Sequence, residues 1–428
     1  MRIILPYLLF VLNTIWSGGV LLAQEASFLR NETLRIDLVL SGNHSSQSAY
    51  IHRLLRYSGT FGSARQDRSP FDYGEYRYFL LHPVSGDTLF QRGFSTLFEE
   101  WRTTDEAREK QRAFQQTIEM PMPAGPVELR IESRRRDGTF FALLSESIDP
   151  EDPAVGYFIP EQHPYRTLHG GAAKEGGRLD LLIVAEGYRS EEQALFYQQA
   201  NALSQELLQM EPFKSQQAHI RIRALAVPSR QSGPDDPRAG HWSATPMGSS
   251  FNTLGIDRYL ETEETWLVYD HAAQLPHDHI IVLVNSDKYG GGGIYNHFSV
   301  VSGGHRYSGR VMIHELGHGL GGLGDEYYGA EVAYNEFINL EIEPWQPNLT
   351  TLVDFDQKWK QMLEPSTPVP TPVRPMYQNT IGAFEGGGYV AKGVYRPALN
   401  CRMRTNEAKG FCAVCRHILT RKILFNAQ

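Results

Sequence analysis

The sequence predicts an α+β chain of two domains. An antiparallel β-sandwich spans residues 24–147, and an α/β domain spans 178–428, with a linker at 148–177 between them. Three observations carry this reading. Residues 34–40 and 127–132 alternate apolar and polar side chains, and 140–144 follows an Asp-Gly turn, the pattern of short half-buried strands in facing sheets. The texture then changes: 179–185 is a continuous apolar run, the mark of a strand covered on both faces. Between them, 148–177 mixes proline and glycine with charged residues and shows no periodicity.

The elements follow in order. Arg134-Arg135-Arg136 runs into Asp137-Gly138 and reads as a hairpin turn. A helix is expected over 190–210, with Ser190 as its N-cap and two glutamates in its first turn. Residues 220–227 and 279–284 read as further strands, so strands alternate with helices around a covered sheet. The stretch 228–253 is rich in Gly, Pro and Ser without periodicity, and loops of that length are often functional.

A formal net charge of −8 over 428 residues argues against a general nucleic-acid binder, which needs clustered basic surface. Residues 1–23 read as a secretory signal peptide: Met1-Arg2, an apolar run, then a small residue, Ala23, at the expected cleavage point. Asn13, Thr14 and Ser17 interrupt that run, so no stable membrane span is expected after cleavage. The expected location is secreted or periplasmic. All three cysteines, Cys401, Cys412 and Cys415, lie near the C-terminus. In an exported chain the natural count is one disulfide involving Cys401 and one free thiol. The alternative is half a zinc ribbon, Cys412-Ala-Val-Cys415, completed by Cys401 and His417.

The segment with the clearest chemistry is His314-Glu315-Leu-Gly-His318-Gly-Leu-Gly321-Gly-Leu-Gly-Asp325-Glu326. Four residues apart on a helix, His314 and His318 share a face and can hold one Zn²⁺. Glu315 beside them is placed to take a proton from an activated water, as a general base. With 15 His and 49 acidic residues, chance yields only about 0.03 such matches in a chain of this length. A catalytic zinc needs a third protein ligand. Gly321-Gly322 can end the helix and reverse the chain, which favours Asp325; Glu326 and the later Glu336, Glu341 and Glu343 are the alternatives.

Other candidates have plainer readings. His277 and His279 flank Asp278 and read as solvated loop residues, and His241 beside Trp242 reads as surface. Gly290 to Gly293 lacks the Lys-Ser/Thr ending of a phosphate loop, which argues against a nucleotide. It reads instead as a sheet edge left open for an extended peptide, so the expected partner is a protein or peptide substrate.

His314-Glu-Leu-Gly-His-Gly-Leu-Gly-Gly-Leu-Gly-Asp-Glu-Tyr327 resembles the active-site signature of the bacterial IgA-peptidase family of secreted zinc metallopeptidases. Val284-Asn-Ser-Asp-Lys-Tyr-Gly-Gly-Gly-Gly-Ile-Tyr-Asn296 and Arg92-Gly-Phe-Ser-Thr-Leu-Phe-Glu-Glu-Trp101 are similar to that family as well. The resemblance implies an N-terminal β-sandwich followed by a zincin-like endopeptidase domain with one catalytic zinc. It departs from the metzincin pattern, in which the third ligand follows the first by ten residues; here Gly324 holds that place and Asp325 is one further on. Metzincins also set a Met in a turn beneath the metal, and Met403 is the candidate, with Cys401 able to staple that turn to Cys412 or Cys415. The competing class is a retired zincin-plus-sandwich protein binding host glycans or surface proteins. The intact His-Glu-His set discriminates against it, because a retired enzyme has little reason to keep Glu315, which is not a ligand.

Overall fold

The computed structural model describes residues 28–59, 67–171, 177–329 and 338–427. The expected signal peptide and Glu336 lie outside them. The N-terminal part contains strands β1 (Phe28–Gly42), β2 (Gln47–Ser58), β3 (Tyr76–Leu81), β4 (Thr88–Phe94), β5 (Arg112–Pro123), β6 (Val127–Arg134), β7 (Phe140–Ile148) and β8 (Val155–Tyr157), with short helices α1 (Leu97–Arg102) and α2 (Glu106–Glu109). They form two four-stranded sheets, ordered β5-β1-β2-β8 and β4-β3-β6-β7. Leu34, Ile36 and Leu38 of one sheet share a buried core with Tyr78, Leu80, Leu129 and Ile131 of the other. The Arg-rich hairpin sits between β6 and β7, where the Asp137 carboxylate accepts the Thr139 amide at 2.9 Å.

The second part adds β9 (Tyr165–His169), β10 (Leu179–Glu186), α3 (Gln193–Gln209), β11 (Ile220–Leu225), α4 (Thr265–Ala272), β12 (His279–Val284), β13 (Gly291–Gly293), β14 (Phe298–Ser302), α5 (Ser308–Gly319), β15 (Phe384–Gly387), β16 (Val390–Arg396) and α6 (Ala413–Asn426). Its main sheet runs β13-β14-β12-β10-β11-β9. The four central strands are parallel, and β9 and β13 close the two edges antiparallel. Every residue of β10 is buried, as a two-faced apolar strand requires. Leu181, Ile183 and Ala185 point toward residues of α3, α5 and α6, whereas Leu182 and Val184 point toward α4 and the loop residues Met247 and Phe251.

Three details differ from the sequence reading. The stretch 148–177 carries β8, which joins the N-terminal sheet beside β2, and β9, which joins the second sheet beside β11. Few apolar residues hid these strands, because both are held by backbone pairing at sheet edges. Ser190 is not a side-chain cap: it lies in an opening 3-10 turn, and Glu192 reaches back to accept the Arg189 amide at 2.8 Å. His277 and His279 are buried rather than solvated. His277 Nε2 meets Glu119 of β5 at 3.0 Å and His279 Nε2 meets Ser299 Oγ at 2.9 Å, so both serve packing between layers.

Candidate metal centre and active site

Helix α5 is amphipathic in the useful sense. Val311, Met312, Ile313 and Leu316 are buried in the core, and the opposite face carries His314 and His318 one turn apart. Each imidazole is oriented from behind. His314 Nδ1 lies 3.0 Å from the Arg402 carbonyl, and His318 Nδ1 lies 2.6 Å from the Leu323 carbonyl. A carbonyl accepts only, so each Nδ1 is the protonated nitrogen and each Nε2 of the neutral ring carries a lone pair. Those two Nε2 atoms face one another at 3.1 Å.

Past the helix the chain reverses. Gly322, at φ +64°, takes the left-handed conformation, and the Leu323 amide folds back to the Gly317 carbonyl at 3.0 Å. The sequence reading gave the reversal to the Gly321-Gly322 pair, and within it Gly321 does not make the turn. That residue instead packs close, since a Cβ there would meet the Gly317 carbonyl at 2.7 Å. The turn delivers Asp325 to the imidazoles: its Oδ1 is 3.1 Å from His314 Nε2 and 3.4 Å from His318 Nε2. The same buried oxygen takes no hydrogen bond.

Three lone-pair atoms separated by 3.1 to 3.4 Å would be mutually repulsive without a positive charge among them. Ligands of a tetrahedral zinc at about 2.0–2.1 Å stand about 3.3 Å apart, so this donor set fits that ion. The protonation equilibria respond to the same geometry. Burial opposes charge on His318, but Asp325 overrides it and lifts the imidazole to about 9. Burial likewise works to raise Asp325, yet the two imidazoles hold it below the usual carboxylate range. Glu326 turns away from the cleft, as neighbouring residues in extended chain must. Glu343 accepts the Thr351 amide at 2.8 Å, and Glu341 is exposed; neither lines the cleft.

Glu315 stands beside the two imidazoles with its carboxylate toward β13. Burial raises its pKa above the ordinary glutamate value, while the neighbouring imidazoles pull it back. Strand β13 must be glycine. A Cβ on Gly291 would meet the Glu315 carboxylate at 2.9 Å, and one on Gly293 would meet the Glu315 backbone oxygen at 2.5 Å. The strand therefore lies flush on α5. Gly291 bridges outward to Tyr259, and by the two-residue alternation Gly293 presents its amide and carbonyl to the same side.

That side is a cleft of about 240 Å³ whose walls include His314, Glu315 and His318 together with Arg258, Tyr289 and Tyr389. The last three were not singled out from sequence. Tyr389 donates to Asp325 Oδ2, and the preceding Gly388 amide donates to the Asp325 carbonyl at 2.7 Å. The available signal was the glycine run 386–388 before an aromatic, which here lets the β15–β16 turn close on the 325–327 segment. Met403 is buried beneath α5, where a Cβ on Gly317 would meet its sulfur at 2.4 Å. His241 and Trp242 are exposed and outside the cleft.

The cysteines differ from the disulfide reading. All three are free thiols, and Cys401 Sγ lies 3.8 Å from Cys415 Sγ, far beyond an S–S bond of about 2.05 Å. His417 is exposed on α6 and does not join them. Among the described residues no helix is long and apolar enough to cross a membrane.

A search of curated proteins returned no match. Family models do match, and together they span most of the chain: residues 25–145 fit the peptidase M64 N-terminus, and residues 170–377 and 373–423 fit IgA peptidase M64. The chain, a peptidase by this kinship, belongs to the IgA peptidase M64 family.

Proposed function

We propose that the protein is an exported zinc endopeptidase, with a zincin-like catalytic unit behind an N-terminal β-sandwich. In this reading His314, His318 and Asp325 hold one zinc and Glu315 is the general base. The supporting observation is the convergence of two oriented Nε2 atoms and a buried carboxylate oxygen, 3.1 to 3.4 Å apart, on the wall of an open cleft. When bound, the ion would polarise a peptide carbonyl and acidify a water. Glu315 would take the proton from that water and pass it to the leaving amine, and its raised basicity suits both halves of the transfer. The outward amide and carbonyl of Gly293 would pair with an extended substrate backbone, adding it as a strand beside β13 and passing its scissile bond over Glu315. Export rests on the apolar run within residues 1–23. The expected partners are protein or peptide, and cleavage-site profiling by mass spectrometry would define which.

The test is Glu315→Gln. It should keep its zinc, measured by inductively coupled plasma mass spectrometry, while peptide hydrolysis falls by about two to four powers of ten. Full activity in a zinc-loaded variant would remove Glu315 from the mechanism.

A further inference from the structure

A second group of ligand-type side chains lies just behind the candidate active site. Glu326 follows Asp325 and points inward, where it is fully buried. There it meets Cys401, Cys412 and Cys415, and one ligand atom from each of the four lies within 4.8 Å of all the others. The spacings are those of a coordination sphere. Cys401 Sγ and Cys415 Sγ are 3.8 Å apart, and Cys415 Sγ is 3.2 Å from Glu326 Oε1. A tetrahedral ion with sulfur ligands at about 2.3 Å sets its sulfurs about 3.8 Å from one another, and a sulfur and an oxygen about 3.5 Å apart.

The polar groups around the cluster point the same way. Glu326 Oε2 is buried without a hydrogen bond, although Asn348 donates to its Oε1 at 3.1 Å. A buried carboxylate left half satisfied is costly unless something positive meets it. Arg396 and Arg402 supply flanking positive charge, felt by Glu326 and Cys401 respectively, which suits a sphere of four anionic ligands around a dication. The Cys412 amide donates to Cys401 Sγ at 3.3 Å, a bond that favours thiolate over thiol. Cys412 itself is the N-cap of the 14-residue α6, and the end of a helix favours an anionic sulfur. A disulfide accounts for two of the three sulfurs and leaves the third pressed against a buried carboxylate; one metal ion accounts for all four groups.

We propose that Cys401, Cys412, Cys415 and Glu326 form a second, closed metal site that takes a thiophilic divalent cation, zinc, in a structural role. Its place in the fold says what it holds. It joins the 325–326 segment, the 401–403 turn and the start of α6. Within that turn Arg402 orients His314, and the Met403 carbonyl accepts the Glu326 amide at 2.8 Å. The second ion therefore fixes the backbone that aims two of the three candidate catalytic ligands. Zinc loading would displace the thiol protons to solvent.

The site stands on the cysteine cluster alone and is separable from the catalytic reading. Full-length protein, purified under reducing conditions, is loaded with zinc or with cobalt(II) as a spectroscopic probe. The wild type should hold two zinc ions per chain. The double variant His314→Ala/His318→Ala should hold one, and its cobalt form should keep the thiolate-to-cobalt charge-transfer band in the near ultraviolet. Cys412→Ser and Cys415→Ser should each lose that band, and Glu326→Gln should shift it. Absence of both metal and band in the His314→Ala/His318→Ala protein would overturn the proposal, even if the cysteine variants fail to fold. A Cys401–Cys415 disulfide in protein isolated without reductant would overturn it equally. No peptide hydrolysis by the two-zinc wild type, with the band present, would speak against the catalytic reading and leave this one standing.

Discussion

Asp325 and Glu326 share a peptide bond and face opposite ways, one toward the two imidazoles and the other into the cysteine cluster. Sequence alone gave the three-residue core of the site, because His314, Glu315 and His318 lie within one turn of one helix and helical spacing is local information. It also favoured Asp325 as the third candidate ligand over Glu326 and the later Glu336, Glu341 and Glu343, since the glycines after His318 permit an early reversal. Tyr389 was harder to read, since only the glycine run 386–388 before it marks the place. It comes from 64 residues downstream of Asp325, held at a φ of +67° in a turn whose Gly388 amide donates to the Asp325 carbonyl. Its hydroxyl occupies Asp325 Oδ2 and leaves Oδ1 aimed at the imidazoles. Removing such an orienting partner commonly costs about 10- to 100-fold in metal affinity or activity. Tyr389→Phe should therefore weaken the zinc at His314 and His318 by that factor in a chelator competition, without unfolding the protein. Unchanged affinity would show that Asp325 is held by its backbone alone.

Strand β13 and helix α6 show why elements are harder to read than motifs. Three glycines have no strand propensity, and β13 exists because a flush contact with α5 excludes any side chain at Gly291 or Gly293. Helix α6 hides the opposite surprise, a lysine in its core-facing stripe. Lys422 is 2% exposed, its Nζ is 3.1 Å from the Tyr295 hydroxyl, and it sits over the rings of Phe71 and Tyr295. Burial and then the nearby Arg92 charge depress its pKa to about 7, with Asp278 working in the other direction. The unfolded chain, with an ordinary lysine pKa near 10.5, thus binds more protons than the folded one between about pH 7 and 10.5. Through that window stability contributed by this group rises with pH, by up to about 1.4 kcal/mol per unit. Below the window the charged lysine stays buried at a cost. Lys422→Met should be more stable than wild type near pH 7, and the advantage should shrink by pH 9 in urea unfolding. Parallel pH profiles for the two proteins would refute the depressed pKa.

Two domains were legible in the chain because alternating strands and continuous apolar strands look different; their union was not. Arg35 and Asp37 read as the polar face of an alternating strand, yet both are fully buried. That face of β1 is covered by the second domain. Arg35 Nε bonds Asp37 at 2.8 Å, and its Nη1 reaches Asp270 of α4 at 2.7 Å. Other ties run alongside: Tyr259 donates to Glu100 at 2.6 Å, Trp345 to Glu75 at 2.9 Å, and Asn296 to the Gly93 carbonyl at 2.7 Å. Since Glu75, Glu100, Tyr259 and Trp345 all line the cleft, the N-terminal domain builds part of its wall. A buried ion pair broken on one side leaves an uncompensated charge and typically costs about 3–5 kcal/mol. Arg35→Met should lower the stability of the whole chain by up to that amount, because Asp37 and Asp270 lose their buried shared partner across the junction and keep only the half-exposed Arg53. It should do so in one transition, with fluorescence from Trp101 in the first domain and Trp359 in the second changing together through the urea gradient. If instead the first domain unfolds early while the second keeps its signal and its hydrolytic activity, the junction is not what couples them, and the cleft does not depend on its N-terminal wall.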